Sequence, residues 1–218
     1  MIKAIIYDLD DLMVNSNPLH IEAWDILLSK FNYKLDDLPK EFHSKFIGMR
    51  VIDISKEIIK ALNLNVEIES FYKERINIFL ELVREKVGAM SGLLNSLKLV
   101  KEKGLKIAIA SSGTKEYIQL ILSKFDINDY FDTVVSGDDV KIGKPDPETY
   151  LVIAKKLGFK AEECLVLEDA TAGIESAKAA GCKCIAVRNP NTPPQNYSKA
   201  DKVINSLKDL TLNIINSF

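Results

Sequence analysis

The chain has 218 residues, 47% of them apolar and 28% charged, with a net charge of −2. Those values suit one catalytic core with an insert, or two small domains, and supply no basic field for nucleic acid or an anionic membrane. No apolar run approaches the roughly 18 residues of a membrane helix, and the N-terminus has no signal-peptide pattern. The expected setting is therefore cytoplasmic, with no nucleic-acid or membrane partner.

Residues 2–7 form an apolar run broken only by Lys3 and rich in β-branched side chains. Such a run reads as a strand buried on both faces, central in a parallel sheet. Asp8, Asp10 and Asp11 follow it at once. In open α/β sheets the ligand crevice lies at the carboxyl ends of the strands. Carboxylates this close repel one another unless a cation or proton is supplied. An acidic turn that merely ends the strand is the plainer alternative. Asp11 is expected to face the loop and contribute little.

Residues 17–87 contain no convincing strand. Ile21, Trp24, Leu28 and Phe31, then Ile54, Ile58 and Leu62, then Phe71, Ile76, Phe79 and Val83 recur at helical spacing,. Pro39 and Gly48 punctuate this block and Gly88 closes it. From Gly92 onward helix and strand alternate. The pattern predicts helices over 93–103, 117–125, 147–157 and 174–180, three of them stopped by Gly104, Gly158 and Gly181,. Strands are predicted over 106–110, 133–136, 164–167 and 184–187, the last being the final clear core strand. Residues 189–194, Asn-Pro-Asn-Thr-Pro-Pro, read as a surface loop,. Cys164, Cys182 and Cys184 have no further Cys or His nearby in sequence, so they read as small buried residues and not as a disulfide framework,. The alternation implies a doubly wound parallel sheet.

Each remaining chemical motif lies just after a predicted strand. Ser111 and Ser112 follow 106–110, where a hydroxyl and backbone N–H groups at a helix start can hold a phosphate oxygen or simply cap the helix. Lys144 sits in Gly143-Lys-Pro-Asp-Pro-Glu148, and Glu168-Asp169 follows 164–167. In order, and over nearly the full length, these four sites resemble the four motifs of the haloacid dehalogenase superfamily, mostly phosphatases and phosphomutases. The helical block resembles the inserted cap of that superfamily's cap-bearing subclass. Two departures lie beside the key acids: Asp11 where many members have Gly, and Asn15 where they have Asp. The expected fold is α/β: a Rossmann-like doubly wound parallel-sheet core (1–16 and 88–218) with an inserted α-helical cap domain (17–87).

The resemblance also implies roles. Asp8 would be a covalent nucleophile and Asp10 the general acid and base. Ser111, Ser112 and Lys144 would bind the phosphoryl group. Mg2+ prefers hard oxygen ligands, here the Asp8 and Asp169 side chains and the Asp10 backbone carbonyl, with Glu168 either a ligand or a supporting partner. The implied function is a Mg2+-dependent phosphatase acting on a small phosphorylated metabolite, a sugar phosphate first among them, through an aspartyl-phosphate. The alternative is a β-phosphoglucomutase-like phosphomutase. A receiver-like signalling or binding module is more remote, because it would lack the insert and carry its aspartate after a middle strand. His20 fits phosphatase and mutase alike, and Arg50 and Arg75 are the cap residues that could grip a substrate phosphate. In mutases an arginine three residues after the cap glycine grips the second phosphate, and that position here is Val51. Arg50 lies one residue, about 100° of helix, away, which favours hydrolysis. The chain is expected to be a monomer or weak dimer.

Overall fold

The computed structural model describes the backbone of residues 1–218 and every side chain outside 43–45. β1 (Ala4–Tyr7) has nothing polar to show to water, and all four of its residues are buried. It pairs in parallel with β2 (Lys106–Ala110) on one side and with β4 (Cys164–Glu168) on the other. β3 (Thr133–Val135) extends the sheet beyond β2, and β5 (Lys183–Val187) and β6 (Lys202–Ile204) extend it beyond β4. The order is β3-β2-β1-β4-β5-β6, parallel throughout, as the sequence pattern implies. β6 is the exception to the sequence pattern, because two of its three residues are exposed at the sheet edge and form no apolar run.

Register is what builds the site. Tyr7 stands opposite both Ile109 and Leu167, so the three adjacent strands end together: Asp8 comes level with Ala110 and Glu168, and Ser111 and Asp169 follow one residue on.

Successive strand residues face opposite sides, and the two faces differ. Ile5, Tyr7, Ile109 and Leu167 pack with α5 (Leu93–Glu102) and α6 (Lys115–Lys124) through Leu97, Val100, Ile118 and Ile121. Ala4, Ile6, Ala108 and Cys184 meet α7 (Glu148–Leu157) and α8 (Thr171–Ala179) through Tyr150, Ile153, Ile174 and Ala177. The cysteines are buried and free, in that second cluster. Truncating one of the large buried aliphatics, such as Ile5 or Ile153, to Ala would cost about 2–5 kcal/mol.

Between β1 and β2 lie α1 (Asn17–Ser29), α2 (Lys40–Lys45), α3 (Val51–Ala61) and α4 (Ile68–Lys86). Trp24, Leu28, Ile54, Ile58 and Phe71 form a separate apolar cluster among them. α4 serves both clusters: Phe71 joins the cap's own core, while Phe79, Leu80 and Val83 join the sheet's. Chain ends are completed by the short α9 (Leu212–Asn216), anchored by buried Ile215. Among the described residues no helix is long and apolar enough to cross a membrane.

Candidate active site

Asp8 continues β1, its N–H donating to the Leu167 carbonyl at 3.0 Å. Beyond it the chain turns sharply at Asp11, whose φ of 58° is left-handed, a conformation aspartate tolerates better than most residues,. The Asp11 carboxylate accepts the N–H groups of Ser16 (3.2 Å) and Asn17 (2.8 Å), tying the turn to the start of α1. Burial pushes that carboxyl up to about 7 against those donors. Asp11 is therefore a buried brace of the turn and not the idle loop residue expected from sequence. Its carbonyl accepts from Asn189 at 2.9 Å, and Asn17 donates to the Asn191 carbonyl at 3.3 Å. The 189–194 segment, read as a surface loop, thus sends buried Asn189 against the turn at Asp11.

Lys144 reaches the centre of the site from the loop before α7. Its Nζ donates to Asp8 Oδ1 at 2.5 Å, to Glu168 Oε1 at 2.6 Å and to the Ala110 carbonyl at 3.1 Å. Burial disfavours its charge, but Asp8 and Glu168 outweigh burial and hold Lys144 firmly protonated. Glu168 is fully occupied: Oε1 also accepts from the Tyr150 hydroxyl at 2.9 Å, and Oε2 accepts the N–H groups of Asp169 (3.0 Å) and Ala170 (3.1 Å). Helix α8 leaves room for it only because residue 173 is glycine; a Cβ there would lie 1.7 Å from Glu168 Oε1.

Asp10 lies across the site with one oxygen anchored. Its Oδ1 accepts from Ser16 Oγ at 2.7 Å and the Tyr117 hydroxyl at 2.8 Å, with His20 Nε2 farther off at 3.4 Å. Burial raises the Asp10 carboxyl, but hydrogen bonds from His20, Ser16 and Tyr117 prevail and lower it. Behind His20 stands Arg75, whose Nη2 lies 2.7 Å from His20 Nδ1. Arginine can only donate, so Nδ1 accepts and the ring proton sits on Nε2, facing Asp10. Arg75 is fully buried between the Trp24 and Phe79 rings, 4.7 and 4.9 Å away. It does not line the cavity above Asp8, so the expectation of a substrate-gripping Arg75 gives way to a buried support for His20.

The other sequence candidates divide in two. Ser111 is buried beside Asp8's strand, its Oγ accepting the Gly113 N–H at 2.9 Å. Ser112 lines the cavity, yet its hydroxyl donates to the cap's Gly48 carbonyl at 2.7 Å, linking the two parts of the molecule. Arg50 is outside the cavity, donating to Asp53 at 2.7 Å and to the Val140 carbonyl at 3.1 Å, while Val51 lines it. Tyr117, Tyr150, Ser16 and Gly173 are site residues beyond those the sequence pattern points to. Tyr117 and Tyr150 carry no signal beyond their positions in ordinary helices, whereas Ser16 and Gly173 lie in the runs that follow the acids of the first and fourth motifs.

A profile of the haloacid dehalogenase-like hydrolases matches residues 5–187, a span containing Asp8, Ser111, Lys144 and Asp169. The chain is a haloacid dehalogenase-like hydrolase. A phosphorylated carbohydrates phosphatase of Thermotoga maritima is 32% identical over 84% of this chain and 83% of its own length. Hexitol phosphatase B of Escherichia coli is 30% identical over 96% and 95%. Among solved structures, β-phosphoglucomutase from Clostridium difficile is similar with a TM-score of 0.85 at 26% identity, covering 100% of this chain and 96% of that one.

The acids of this haloacid dehalogenase-like hydrolase fit a divalent cation. Asp8, Glu168 and Asp169 each bring one carboxylate oxygen to within 4.8 Å of the others. Asp169 Oδ2 is buried with no hydrogen-bond partner, a position a hard cation would satisfy,. Burial drives the Asp8 and Asp169 carboxyls well above the usual carboxylate range; Lys144 opposes this in both, Glu168 raises both further, and Asp169 is raised also by Asp11 and Asp8. A cation in their midst would relieve that repulsion.

Proposed function

We propose that this hydrolase is a Mg2+-dependent phosphatase of small phosphorylated metabolites that works through an aspartyl-phosphate on Asp8. The observation that carries the reading is the buried Asp8–Lys144–Glu168 chain at the strand ends, with Asp10 anchored two residues from Asp8. The relatives named for phosphorylated carbohydrates and hexitols support the substrate class. Asp8 and Asp169, with the Asp10 carbonyl, would hold Mg2+, and the filled lone pairs of Glu168 favour a role supporting Lys144 over direct ligation. When bound, Mg2+ supplies charge neutralisation at the phosphoryl oxygens.

Asp8 attacks phosphorus, so the Asp8–phosphorus bond forms as the ester bond breaks. Asp10 passes a proton to the departing alkoxide, then takes one from the water that attacks phosphorus and frees Asp8. The donors around Asp10 favour its ionised, base-competent form. A phosphate dianion beside it raises its proton affinity and so supplies the acid form for the first step. Lys144 and the Ser111 hydroxyl stabilise charge on the transferring group.

Similarity to β-phosphoglucomutase keeps a second reading, in which a sugar takes the phosphoryl group in place of water. Hydrolysis is favoured because Val51 faces the cavity while Arg50 is engaged by Asp53 and Val140. The test is phosphate release from monoesters with and without Mg2+, with Asp8→Asn as the control that keeps the fold and loses turnover. Trapped phosphoenzyme on any residue other than Asp8 would refute the mechanism. Isomerisation of β-glucose 1-phosphate outpacing phosphate release, with a trace of 1,6-bisphosphate, would reverse the choice between readings.

A further inference from the structure

We infer that the ester this enzyme hydrolyses carries one phosphate on a leaving group that presents a broad apolar face. The inference rests on the phosphatase reading and narrows its substrate. The cavity above Asp8 has two unlike ends. At the sheet edge it is lined by Asp8, Asp10, Asp169 and Ser112; on the cap side it is lined by Ile21, Trp24, Leu35, Met49, Val51 and Ile54. Ligand pockets are commonly apolar, with a few placed polar groups that fix orientation. Here His20, Asn17 and Asp11 join the phosphoryl end, so the hydroxyls of a distal polyol would find little to read them.

Two features make the apolar wall a recognition surface. Trp24, Leu35, Val51 and Ile54 belong to the cap's own core and turn their remaining surface to the cavity, so the wall is fixed in place by packing. Ile21 is the opposite case: it lines the same cavity and remains 42% exposed. Covering such apolar surface is favourable, and an apolar leaving group would do so. A sugar hydroxyl laid on this wall would lose water without gaining a partner, which is unfavourable. A second phosphate fares worse. Its expected contact position is Val51, and among the described lining residues the formal charges are those of aspartates.

The leaving group that matches is an aliphatic or aromatic primary alcohol, its ring or chain lying between Ile21 and Trp24 on the cap side of the phosphate. The experiment compares kcat/KM, in Mg2+, for phenethyl phosphate, glucose 6-phosphate and fructose 1,6-bisphosphate, all esters of primary alcohols at the cleaved or an equivalent position. Phenethyl phosphate is expected to exceed glucose 6-phosphate by at least about tenfold, with the bisphosphate lowest. Ile21→Asn and Ile21→Lys, at an exposed position that tolerates change, should each shrink the phenethyl advantage several-fold. Ile21→Lys should also raise kcat/KM for the bisphosphate. Equal or better hydrolysis of glucose 6-phosphate by the parent enzyme, or unaltered ratios in both variants, overturns the inference and leaves the phosphatase reading standing. Failure to hydrolyse any of the three, or p-nitrophenyl phosphate, overturns the phosphatase reading and the inference with it.

Discussion

Lys144 in the sheet domain and Arg75 in the helical cap are both buried cations, at 3% and 0% exposure, held in opposite ways. Lys144 touches two carboxylates, and its proton is bound more tightly than in water despite burial. Arg75 has aromatic faces and the His20 ring and carbonyl, and its Nε and Nη1 are buried without partners. Burial accordingly pulls Arg75 down to about 9. The difference separates two uses of a buried charge. In the core the cation completes a charge balance that a phosphoryl group can enter. In the cap a charge kept without a carboxylate partner orients a histidine that faces Asp10.

The largest test of that difference is Lys144→Met. It leaves Asp8 and Glu168 buried without their cation, which should destabilise the fold by about 3–5 kcal/mol and lower kcat at least about 10²–10³-fold. Urea melts and phosphate release measure both. Arg75→Met orphans no carboxylate, so its stability change should stay within about 2 kcal/mol, while kcat falls through a misplaced His20. Equal losses of stability in the two variants would erase the distinction.

A metal-free comparison sharpens the account of the core. Burial raises Asp169 well above 3.8, so the native state holds that proton more tightly than the unfolded chain. Its contribution to stability is then present at low pH and is lost as pH rises through the folded value. With chelator, the advantage of Asp169→Asn over the parent should therefore be smallest below the unfolded value of 3.8 and grow as pH rises from there toward about pH 8,. Mg2+ should reverse the order at the higher pH by stabilising only the parent, by about 2.7 kcal/mol at a hundred times Kd. A parent that remains the more stable protein at high pH without metal would contradict this electrostatic picture.

The smallest expected effect is that of Tyr117→Phe. Removing one of three contacts to Asp10 Oδ1 should slow hydrolysis of alkyl phosphates by about three- to tenfold, within the range of general acid–base effects. p-Nitrophenyl phosphate, whose leaving group needs no proton, should be hydrolysed almost as before. A uniform loss across both esters would assign Tyr117 to structure and not to the placement of Asp10.

The sequence alone determined the central strand, the acids at its end, the helical insert and the alternating elements that follow. Each of these is written in local periodicity: an apolar run long enough for a buried strand, a 3.6-residue recurrence, a glycine stop. Because parallel strands deliver their carboxyl ends to one edge, that order also brought Asp8, Ser111, Lys144 and Asp169 together on paper. Only the tertiary structure decided which partner each residue meets. Tyr117 reaches Asp10 across 107 positions and Asn189 reaches Asp11 across 178. Arg75 turns inward to His20, and Glu168 fills its four acceptor positions against a helix that needs glycine at 173. A helical pattern names the apolar face of a helix but leaves its rotation and offset against its neighbours to packing. At hydrogen-bond distances an offset of one ångström exchanges one partner for another.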